Sequence, residues 1–538
     1  MTLLEELIRA IELWLRIVKK QEYVVNPNLD PVLLVPGIAG SILHAVDDEG
    51  KKTERVWVRI LGADHEFRTK LWSRFDPSTG KSVSLDDKTR IVVPEDRYGL
   101  YAIDTLDPDM IVGSDCVGYY HDMIVEMIKW GYQEGSTLFG FGYDFRQSNR
   151  LKETMEKFQE KLETAYNSDG ERKLTVITHS MGGLLLKCFM SLHSDIFEKY
   201  VKRWIAIAAP FQGAPGYITT SLLNGMSFVN GWEANFFISK WSMQQLLIEC
   251  PSIYELMASP NFEWHDIPVL QIWRQRVDNS GQSSSLLESY GPKEAIPLMA
   301  QALSNHKVSC GGTQLAFPLN KDILKWAEET REIMSRAKLP DSVEFYNIYG
   351  IDVDTAHSVC YGSELAPVSD VEQIIFSQPQ FIFVTGDGSV PAESAKADGF
   401  NAISRVGVLA DHRGIVCDRH VFRIVKHWLK AGEPDPFYDP VNDYVILPTA
   451  FEVEWHREDT KEITSVKEEW EIVSSEKNTK CNYTDKSTAI PPFVGSVSVI
   501  CEEDDESSEE AEALLVVEPN INGNQHVVLR ATGVDMNK

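Results

Sequence analysis

A buried strand that runs directly into a serine turn and then into a helix constrains this chain more than any other feature of its sequence. The apolar run 174–177 is followed by His179-Ser180-Met181-Gly182-Gly183, and a helical stretch covers residues 181–193. Small residues flank such a serine because the strand and the helix approach each other closely at the turn. The pattern predicts that Ser180 is an exposed nucleophile. The alternative is a serine that merely caps the helix.

One position departs from the usual G-x-S-x-G pattern of such turns. Thr178 stands where the pattern has its first glycine. Because threonine is β-branched, we expect a slightly wider turn. The helix N-terminus and the backbone N–H of Met181 face the position where an oxyanion would form, so Met181 is one predicted oxyanion donor.

Further short apolar runs, accompanied by helical stretches, predict the fold class. The run 31–37 ends in turn residues, and similar runs lie at residues 137–142, 204–209, 345–350, 381–384 and 406–409. Helical stretches lie at residues 151–166 and 419–430. Strands that alternate with helices form a largely parallel sheet with helices on both faces. Together with the serine turn, this predicts an α/β-hydrolase fold with a mostly parallel central sheet.

Changes of pattern along the chain predict four segments. Residues 1–24 have the apolar spacing of an amphipathic helix, whose stripe packs on the protein's own core or rests on a membrane. Residues 215–340 lose the strand rhythm and are rich in large apolar side chains, which indicates a cap over the sheet's carboxyl edge. Residues 25–214 and 341–445 then form the catalytic domain. Residues 446–538 are predicted to be a small β-rich appendage with an acidic loop.

The composition indicates which partners and which cellular compartment to expect. With 80 acidic and 52 basic residues the chain has a formal charge of -28, which disfavours nucleic acid as a partner. The eight cysteines lie far apart without metal-binding spacing, so we expect reduced thiols, no metal and no cofactor. The N-terminal residues lack a signal-peptide pattern, and no apolar run reaches the roughly 18 residues of a membrane span. We therefore expect a protein that is cytoplasmic or peripheral to membranes, is not secreted and has no stable protein partner.

The candidate acid is Asp387. In this fold an acid and then a histidine follow the nucleophile along the chain, each just beyond a later strand. Asp387 directly follows the apolar run 381–384, within the turn Thr385-Gly386-Asp387-Gly388. The alternative is an Asx-turn residue that bonds only its own backbone.

Three histidines are candidates for the base. His412 follows the run 406–409 through a two-residue loop, from which its ring can swing toward Ser180. His420 and His427 fall within a helical stretch, where a histidine more often decorates or caps a helix. We predict His412, with His420 as the second candidate because helix starts inferred from a sequence vary by a few residues.

The second oxyanion donor is expected in the loop Pro36-Gly37-Ile38-Ala39-Gly40-Ser41, which follows the first core strand. Its glycines let backbone N–H groups approach a reacting carbonyl. By this geometry the N–H of Ile38 and the N–H of Met181 donate to the same oxyanion.

Four ordered motifs together resemble the lecithin:cholesterol acyltransferase family, and in particular its plant branch of cytosolic phospholipase A-like members. The likeness extends over residues 30–440 and rests on the sequences PGIAGS (36–41), YDFR (143–146), HSMGG (179–183) and GDGSVP (386–391), followed by DHRGI (411–415). Four motifs in one order are far more specific than any single motif. The chain differs from the secreted acyltransferase in lacking a signal peptide and cysteines placed to close a lid disulfide, and both differences fit a cytosolic enzyme.

The resemblance implies a role for each candidate residue. Ser180 would be the acyl-enzyme nucleophile, Asp387 and His412 its partners, and Ile38 and Met181 the oxyanion donors. It also implies a mobile lid with exposed apolar residues, for which the candidate is the segment 56–75, and the alternative there is an ordinary packed excursion. For Asp144 and Arg146 we expect a structural ion pair.

These features favour one function over three competing ones. The favoured function is a phospholipase A that cleaves fatty acyl esters of glycerophospholipids at a membrane surface through a Ser-Asp-His triad. The same acyl-enzyme could instead pass its acyl group to a sterol or a diacylglycerol. A non-catalytic lipid-binding protein is disfavoured because all three triad positions are filled. A soluble esterase or peptidase is disfavoured by the aromatic-rich cap.

Overall fold

The structure is a computed structural model that describes residues 24–432 and three strands of the C-terminal part. The first range has gaps at residues 48–52, 60–64, 66–68, 86–87, 110–116, 169, 227–238, 266–268, 278–282 and 311–312. The predicted N-terminal helix and the acidic loop at 502–506 lie outside the described residues. The chain divides into two compact units, residues 1–437 and 438–538. The four predicted segment boundaries stay predictions.

The strands of the described residues are numbered in chain order. They are β1 (Val32–Val35), β2 (Leu43–Asp47), β3 (Thr53–Trp57), β4 (Ser73–Asp76), β5 (Lys81–Ser84), β6 (Thr89–Val92), β7 (Leu138–Gly140), β8 (Leu174–His179), β9 (Val201–Ile207), β10 (Leu270–Val277), β11 (Ser283–Tyr290), β12 (Lys307–Cys310), β13 (Thr313–Ala316), β14 (Glu344–Gly350), β15 (Val353–Tyr361), β16 (Gln380–Gly386), β17 (Ser404–Val408), β18 (Val494–Ile500), β19 (Glu510–Pro519) and β20 (Gln525–Arg530).

The α-helices of the same residues are numbered separately. They are α1 (His121–Lys129), α2 (Lys152–Ser168), α3 (Gly182–Leu192), α4 (Ser194–Tyr200), α5 (Pro215–Asn224), α6 (Lys240–Leu247), α7 (Pro251–Glu255), α8 (Pro292–Ala302), α9 (Lys321–Ser335), α10 (Ala392–Lys396) and α11 (Arg419–Leu429). Short 3-10 helices lie at Asp96–Gly99, Val371–Phe376 and Gly414–Val416.

A six-stranded parallel sheet forms the centre of the first unit. Its strand order is β17-β14-β9-β8-β1-β7, and each neighbouring pair is parallel. Strands β1 and β8 are buried along their whole length, as expected for strands covered by helices on both faces. Helix α2 buries Met155, Phe158, Leu162 and Ala165, whose spacing is that of one helix face. The predicted α/β fold with a mostly parallel sheet is confirmed.

A second sheet differs from the sequence prediction. Its order is β11-β10-β15-β16, so strands from the expected cap segment pair with strands from the expected catalytic segment. The prediction that the run 381–384 is a buried strand of the parallel sheet is wrong. The run lies in β16, which is antiparallel to β15 and partly exposed. Strands β10 to β13 also lie in the segment where no strand pattern is predicted.

The described parts of the lid candidate 56–75 are packed into the core. The side chains of Val56, Trp57 and Leu71 are fully buried, and Trp72 and Phe75 are nearly so. The expectation that these apolar residues are exposed is therefore wrong for this structure. They pack against core side chains, such as that of Phe145, whose ring meets the ring of Trp57 edge-on with the centroids 5.5 Å apart.

The ion pair of Asp144 and Arg146 anchors the same segment. The guanidinium donates from Nε and Nη2 to the two carboxylate oxygens at 2.9 and 2.7 Å. Its Nη1 donates to the carbonyl of Leu71 at 2.7 Å. Burial disfavours the charge of Asp144, but the adjacent guanidinium outweighs this and holds the pKa of the carboxyl below its usual range. This is the structural role expected for the pair.

The C-terminal unit contains a three-stranded antiparallel sheet with the order β18-β19-β20. Such a sheet agrees with the alternating apolar pattern of this part of the sequence. Across both units, no helix of the described residues is long and apolar enough to cross a membrane.

Candidate active site

The turn between β8 and α3 holds Ser180 in a conformation that few residues adopt. Its φ is +53°, in the left-handed region, and its N–H donates to the carbonyl of Ile207 at 2.9 Å. The next two glycines are required by close approach: a Cβ on Gly182 would lie 2.5 Å from the carbonyl oxygen of Pro36, and one on Gly183 would lie 2.6 Å from the Cβ of Ala209. The strain is therefore maintained by the packing around the turn.

Thr178 fits this turn although the usual pattern has glycine there. Its side chain is fully buried, and its hydroxyl accepts a hydrogen bond at 2.9 Å from the indole N–H of Trp204 on β9. The hydroxyl thus has a partner inside the core, which removes the main cost of burying it.

The structure brings Ser180, His412 and Asp387 together. The Nε2 atom of His412 lies 2.9 Å from Ser180 Oγ, and its Nδ1 lies 2.7 Å from Asp387 Oδ2. The exposed fractions of Ser180, His412 and Asp387 are 5%, 7% and 1%. The expectation that Ser180 is exposed is therefore wrong for this structure, because the loop at Gly37 and the ring of His412 lie against it. His420 and His427 lie on α11, and the N–H of His420 is capped by the carboxylate of Asp418 at 2.7 Å. Of the three candidate histidines, His412 is the one that contacts Ser180.

Asp387 makes the Asx turn and contacts His412 at the same time. Its Oδ1 accepts from the backbone N–H groups of Ser389 and Val390 at 2.9 and 2.6 Å, while Oδ2 faces His412. The carboxylate is thereby fixed by one oxygen and free to orient the imidazole with the other. The two interpretations of this residue are therefore compatible.

The loop after β1 passes directly against the nucleophile. A Cβ on Gly37 would lie 2.5 Å from the Cβ of Ser180. The loop is closed by a bond from Gly40 N–H to the Gly37 carbonyl at 3.2 Å, and the Trp57 indole donates to the carbonyl of Ala39 at 2.7 Å. Trp57, in the lid candidate 56–75, therefore supports this loop.

The predicted oxyanion donors lie on the two elements that meet at Ser180. Ile38 follows Gly37 in the loop, and Met181 precedes helix α3. Within the described part of the chain, neither backbone N–H donates to another protein group. Two unsatisfied N–H groups beside a nucleophile are the donors that an oxyanion hole requires.

Sequence reasoning missed two residues at this site, Tyr119 and His179. The hydroxyl of Tyr119 accepts from the N–H of Gly37 at 2.7 Å and lies 2.5 Å from His179 Nδ1. The other ring nitrogen of His179 lies 2.9 Å from the carbonyl oxygen of His412. Burial, and secondarily His412, hold the pKa of His179 well below its ordinary value of 6.5. The position of His179 directly before the nucleophile was the available signal, whereas nothing near Tyr119 in the sequence pointed to the site.

The arrangement has the parts needed for acyl transfer. A serine hydroxyl bonded to an imidazole, itself oriented by a carboxylate, is a nucleophile with its base. Among the residues that the structure describes, no group of three or more His, Cys, Asp or Glu side chains could hold a metal ion. The chemistry that these residues support is attack on a carbonyl carbon by Ser180.

Comparison with known proteins identifies the family. Residues 69–399 match the family described as Lecithin:cholesterol acyltransferase. Lecithin-cholesterol acyltransferase-like 4 of Arabidopsis thaliana is 60% identical over 538 residues, which is 99% of each chain. This chain belongs to the lecithin:cholesterol acyltransferase family. The resemblance inferred from the four motifs is confirmed.

Two further relatives in the family have more specific names. Phospholipase A(1) LCAT3 of Arabidopsis thaliana is 51% identical over 404 residues, covering 74% of this chain and 90% of its own. The human Lysosomal phospholipase A and acyltransferase is 22% identical over 285 residues, covering 47% of this chain and 68% of its own. The range matched to the family contains Ser180 and Asp387 but ends before His412. The structure places His412 beside both residues.

Proposed function

We propose that this family member is a phospholipase A, a serine hydrolase that cleaves the fatty acyl esters of glycerophospholipids. The observation that carries the proposal is the hydrogen-bonded series Ser180, His412 and Asp387 at the edge of the parallel sheet. The relative named phospholipase A(1), with 51% identity over 74% of this chain, supports the phospholipid as substrate. Ser180, Asp387 and His412 act as the catalytic triad.

The first half of the reaction forms an acyl-enzyme. Ser180 Oγ attacks the ester carbonyl carbon and its proton passes to Nε2 of His412, which lies 2.9 Å away. The N–H groups of Ile38 and Met181 stabilise the negative oxygen of the tetrahedral intermediate. When the ester bond breaks, His412 returns the proton to the departing lysophospholipid.

The second half regenerates the enzyme. Water gives a proton to His412 and attacks the acyl carbon, the second tetrahedral intermediate collapses, and free fatty acid leaves as Ser180 recovers its proton. Throughout, Asp387 keeps the Nδ1 proton of His412 in place and offsets the charge of the imidazolium. These steps use protein groups and water alone, so we expect activity to persist in the presence of a chelator.

Acyl transfer to an alcohol is the second candidate function. In that case a sterol or diacylglycerol hydroxyl replaces water in the second half of the reaction. The relatives whose names include acyltransferase support this candidate. A non-catalytic lipid-binding role is disfavoured because the three triad side chains are joined by hydrogen bonds.

For location we propose the cytoplasm, with peripheral contact to membranes at the substrate. Four of the eight cysteines, Cys188, Cys250, Cys360 and Cys417, are free thiols, which fits a reducing compartment. Fractionation of cells that produce a tagged protein tests this proposal, and recovery mainly from the secreted fraction would contradict it.

The activity is tested with vesicles of phosphatidylcholine that carries different acyl chains at its two positions, with and without sterol. Products of the purified protein and of Ser180→Ala are identified by mass spectrometry. Fatty acid and lysolipid that are absent with the variant would support the phospholipase and identify the position cleaved. Sterol ester would favour the acyltransferase, and no serine-dependent product from any lipid would refute both.

A further inference from the structure

A chain of hydrogen bonds joins the oxyanion loop, residues 36–41, to the catalytic histidine through Tyr119 and His179. We propose that Tyr119 and His179 are positioning residues, which hold the Ile38 N–H and the His412 ring in their reactive positions beside Ser180. The inference rests on the proposed function for the identity of the reaction, and it assigns two side chains outside the triad to that reaction.

The hydrogen bonds of this series all run in one consistent donor-to-acceptor direction. The carbonyl oxygen of His412 only accepts, so Nε2 of His179, 2.9 Å away, carries the ring proton. Nδ1 of the neutral ring is then an acceptor, and the hydroxyl of Tyr119 at 2.5 Å donates to it. The same hydroxyl oxygen accepts from the N–H of Gly37 at 2.7 Å. Each donor along the series therefore meets an acceptor.

The bond from Gly37 orients the loop. Because the N–H of Gly37 points to Tyr119, the next N–H, that of Ile38, is the one left without a partner among the described groups. The ring of Tyr119 also packs closely under the loop, since a Cβ on Gly40 would lie 2.6 Å from two of its carbons. Tyr119 thus fixes the loop by one hydrogen bond and by contact.

At its other end the series of hydrogen bonds holds the backbone of His412. The carbonyl of His412 accepts from His179, and its N–H donates to the carbonyl of Asp387 at 2.7 Å. The rings of His179 and His412 lie 4.9 Å apart between centroids. A neutral His179 lets His412 become an imidazolium, whereas a second positive ring at that distance would oppose it. The depressed pKa of His179 agrees with this arrangement.

The test measures how fast Ser180 reacts with a fluorophosphonate, so it does not depend on which lipid the enzyme prefers. Ser180 Oγ forms a bond to phosphorus, fluoride leaves, and the serine proton passes to His412. The variants are Tyr119→Phe, His179→Phe and the double variant. Tyr120→Phe is the matched control because Tyr120 is the neighbouring tyrosine, is fully buried, and its hydroxyl donates to a backbone carbonyl, that of Val35, at 3.1 Å.

We expect Tyr119→Phe and His179→Phe each to lower the maximal phosphonylation rate about 10- to 100-fold with little change in probe affinity, because a displacement of about 1 Å costs about 100-fold. The double variant should lose no more than the worse single variant, since both break one chain. Tyr120→Phe should retain most of the rate, and its small loss should multiply with that of His179→Phe.

Thermal unfolding checks that each variant is folded. A folded Tyr119→Phe protein with the rate of Tyr120→Phe would overturn the proposal, as would losses that multiply in the double variant. If His179→Phe does not fold, the comparison of Tyr119→Phe with Tyr120→Phe decides alone. Wild-type protein that reacts with the probe but releases nothing from phospholipid would refute the proposed function and leave this test valid.

Discussion

Replacing Gly37 by alanine should damage the site more than it damages the fold. The added Cβ would lie 2.5 Å from the Cβ of Ser180, 3.0 Å from its Oγ and 3.1 Å from the carbonyl oxygen of His179. Ordinary contacts of a Cβ begin near 3.4 Å, so the loop and the nucleophile must separate by about 1 Å. Such a displacement costs about 100-fold in rate. Overpacking of this size costs about 1–3 kcal/mol of stability.

The measurement is kcat for release of fatty acid from phosphatidylcholine vesicles, together with urea unfolding. Gly170→Ala is the control, because Gly170 has a positive φ, +69°, but has no neighbouring atom within 4 Å of an added Cβ. It should lose some stability through backbone strain and keep its kcat. A Gly37→Ala protein with the kcat of the control would refute the geometry of the loop against Ser180.

Three further predictions concern charge. Asp387→Asn should lower kcat about 10⁴-fold because His412 would take the wrong tautomer, and a loss of less than about tenfold in steady-state assays would count against the triad. Arg146→Met should cost about 3–5 kcal/mol in urea unfolding, because it leaves the Asp144 carboxylate, whose side chain is only 17% exposed, without its charged partner, and an unchanged midpoint would contradict this. Burial lowers the pKa of Lys187 from 10.5 to about 8, so between these pH values the unfolded chain holds a proton that the native protein lacks, and native stability rises with pH. Lys187→Met should therefore be more stable than wild type by up to about 3 kcal/mol at pH 7. This difference in the free energy of unfolding should shrink toward pH 10.5. A difference that does not change with pH would show that burial of the charge is not the cause.

The elements with strong local patterns could be predicted from the sequence. The helical stretches 151–166, 181–193 and 419–430 correspond to α2, α3 and α11, with ends that differ by at most two residues. Each has an apolar face or an apolar run bounded by capping or turn residues, and these signals are local. The parallel sheet followed from the alternation of such elements.

The run 381–384 is predicted in the wrong sheet because its local pattern does not identify its partner. An apolar run is compatible with a buried parallel strand and with a half-exposed antiparallel one. The pairing of β16 with β15 depends on contacts between chain positions that the pattern does not connect. The expectation of an exposed Trp57 is wrong for the same reason, since the side chains that cover it, such as Phe145, lie far along the chain.

The sequence alone was enough to predict the strand–Ser180–helix turn, the candidates Asp387 and His412 beyond later strand ends, and the family. Each of these depends on short-range stereochemistry or on ordered motifs. The folded chain was needed to show that His412 contacts Ser180. It was also needed to show that Tyr119, 60 positions before His179, joins the loop to the base. A hydrogen bond between distant positions exists only after the core has brought the two backbones together, and no local pattern records it.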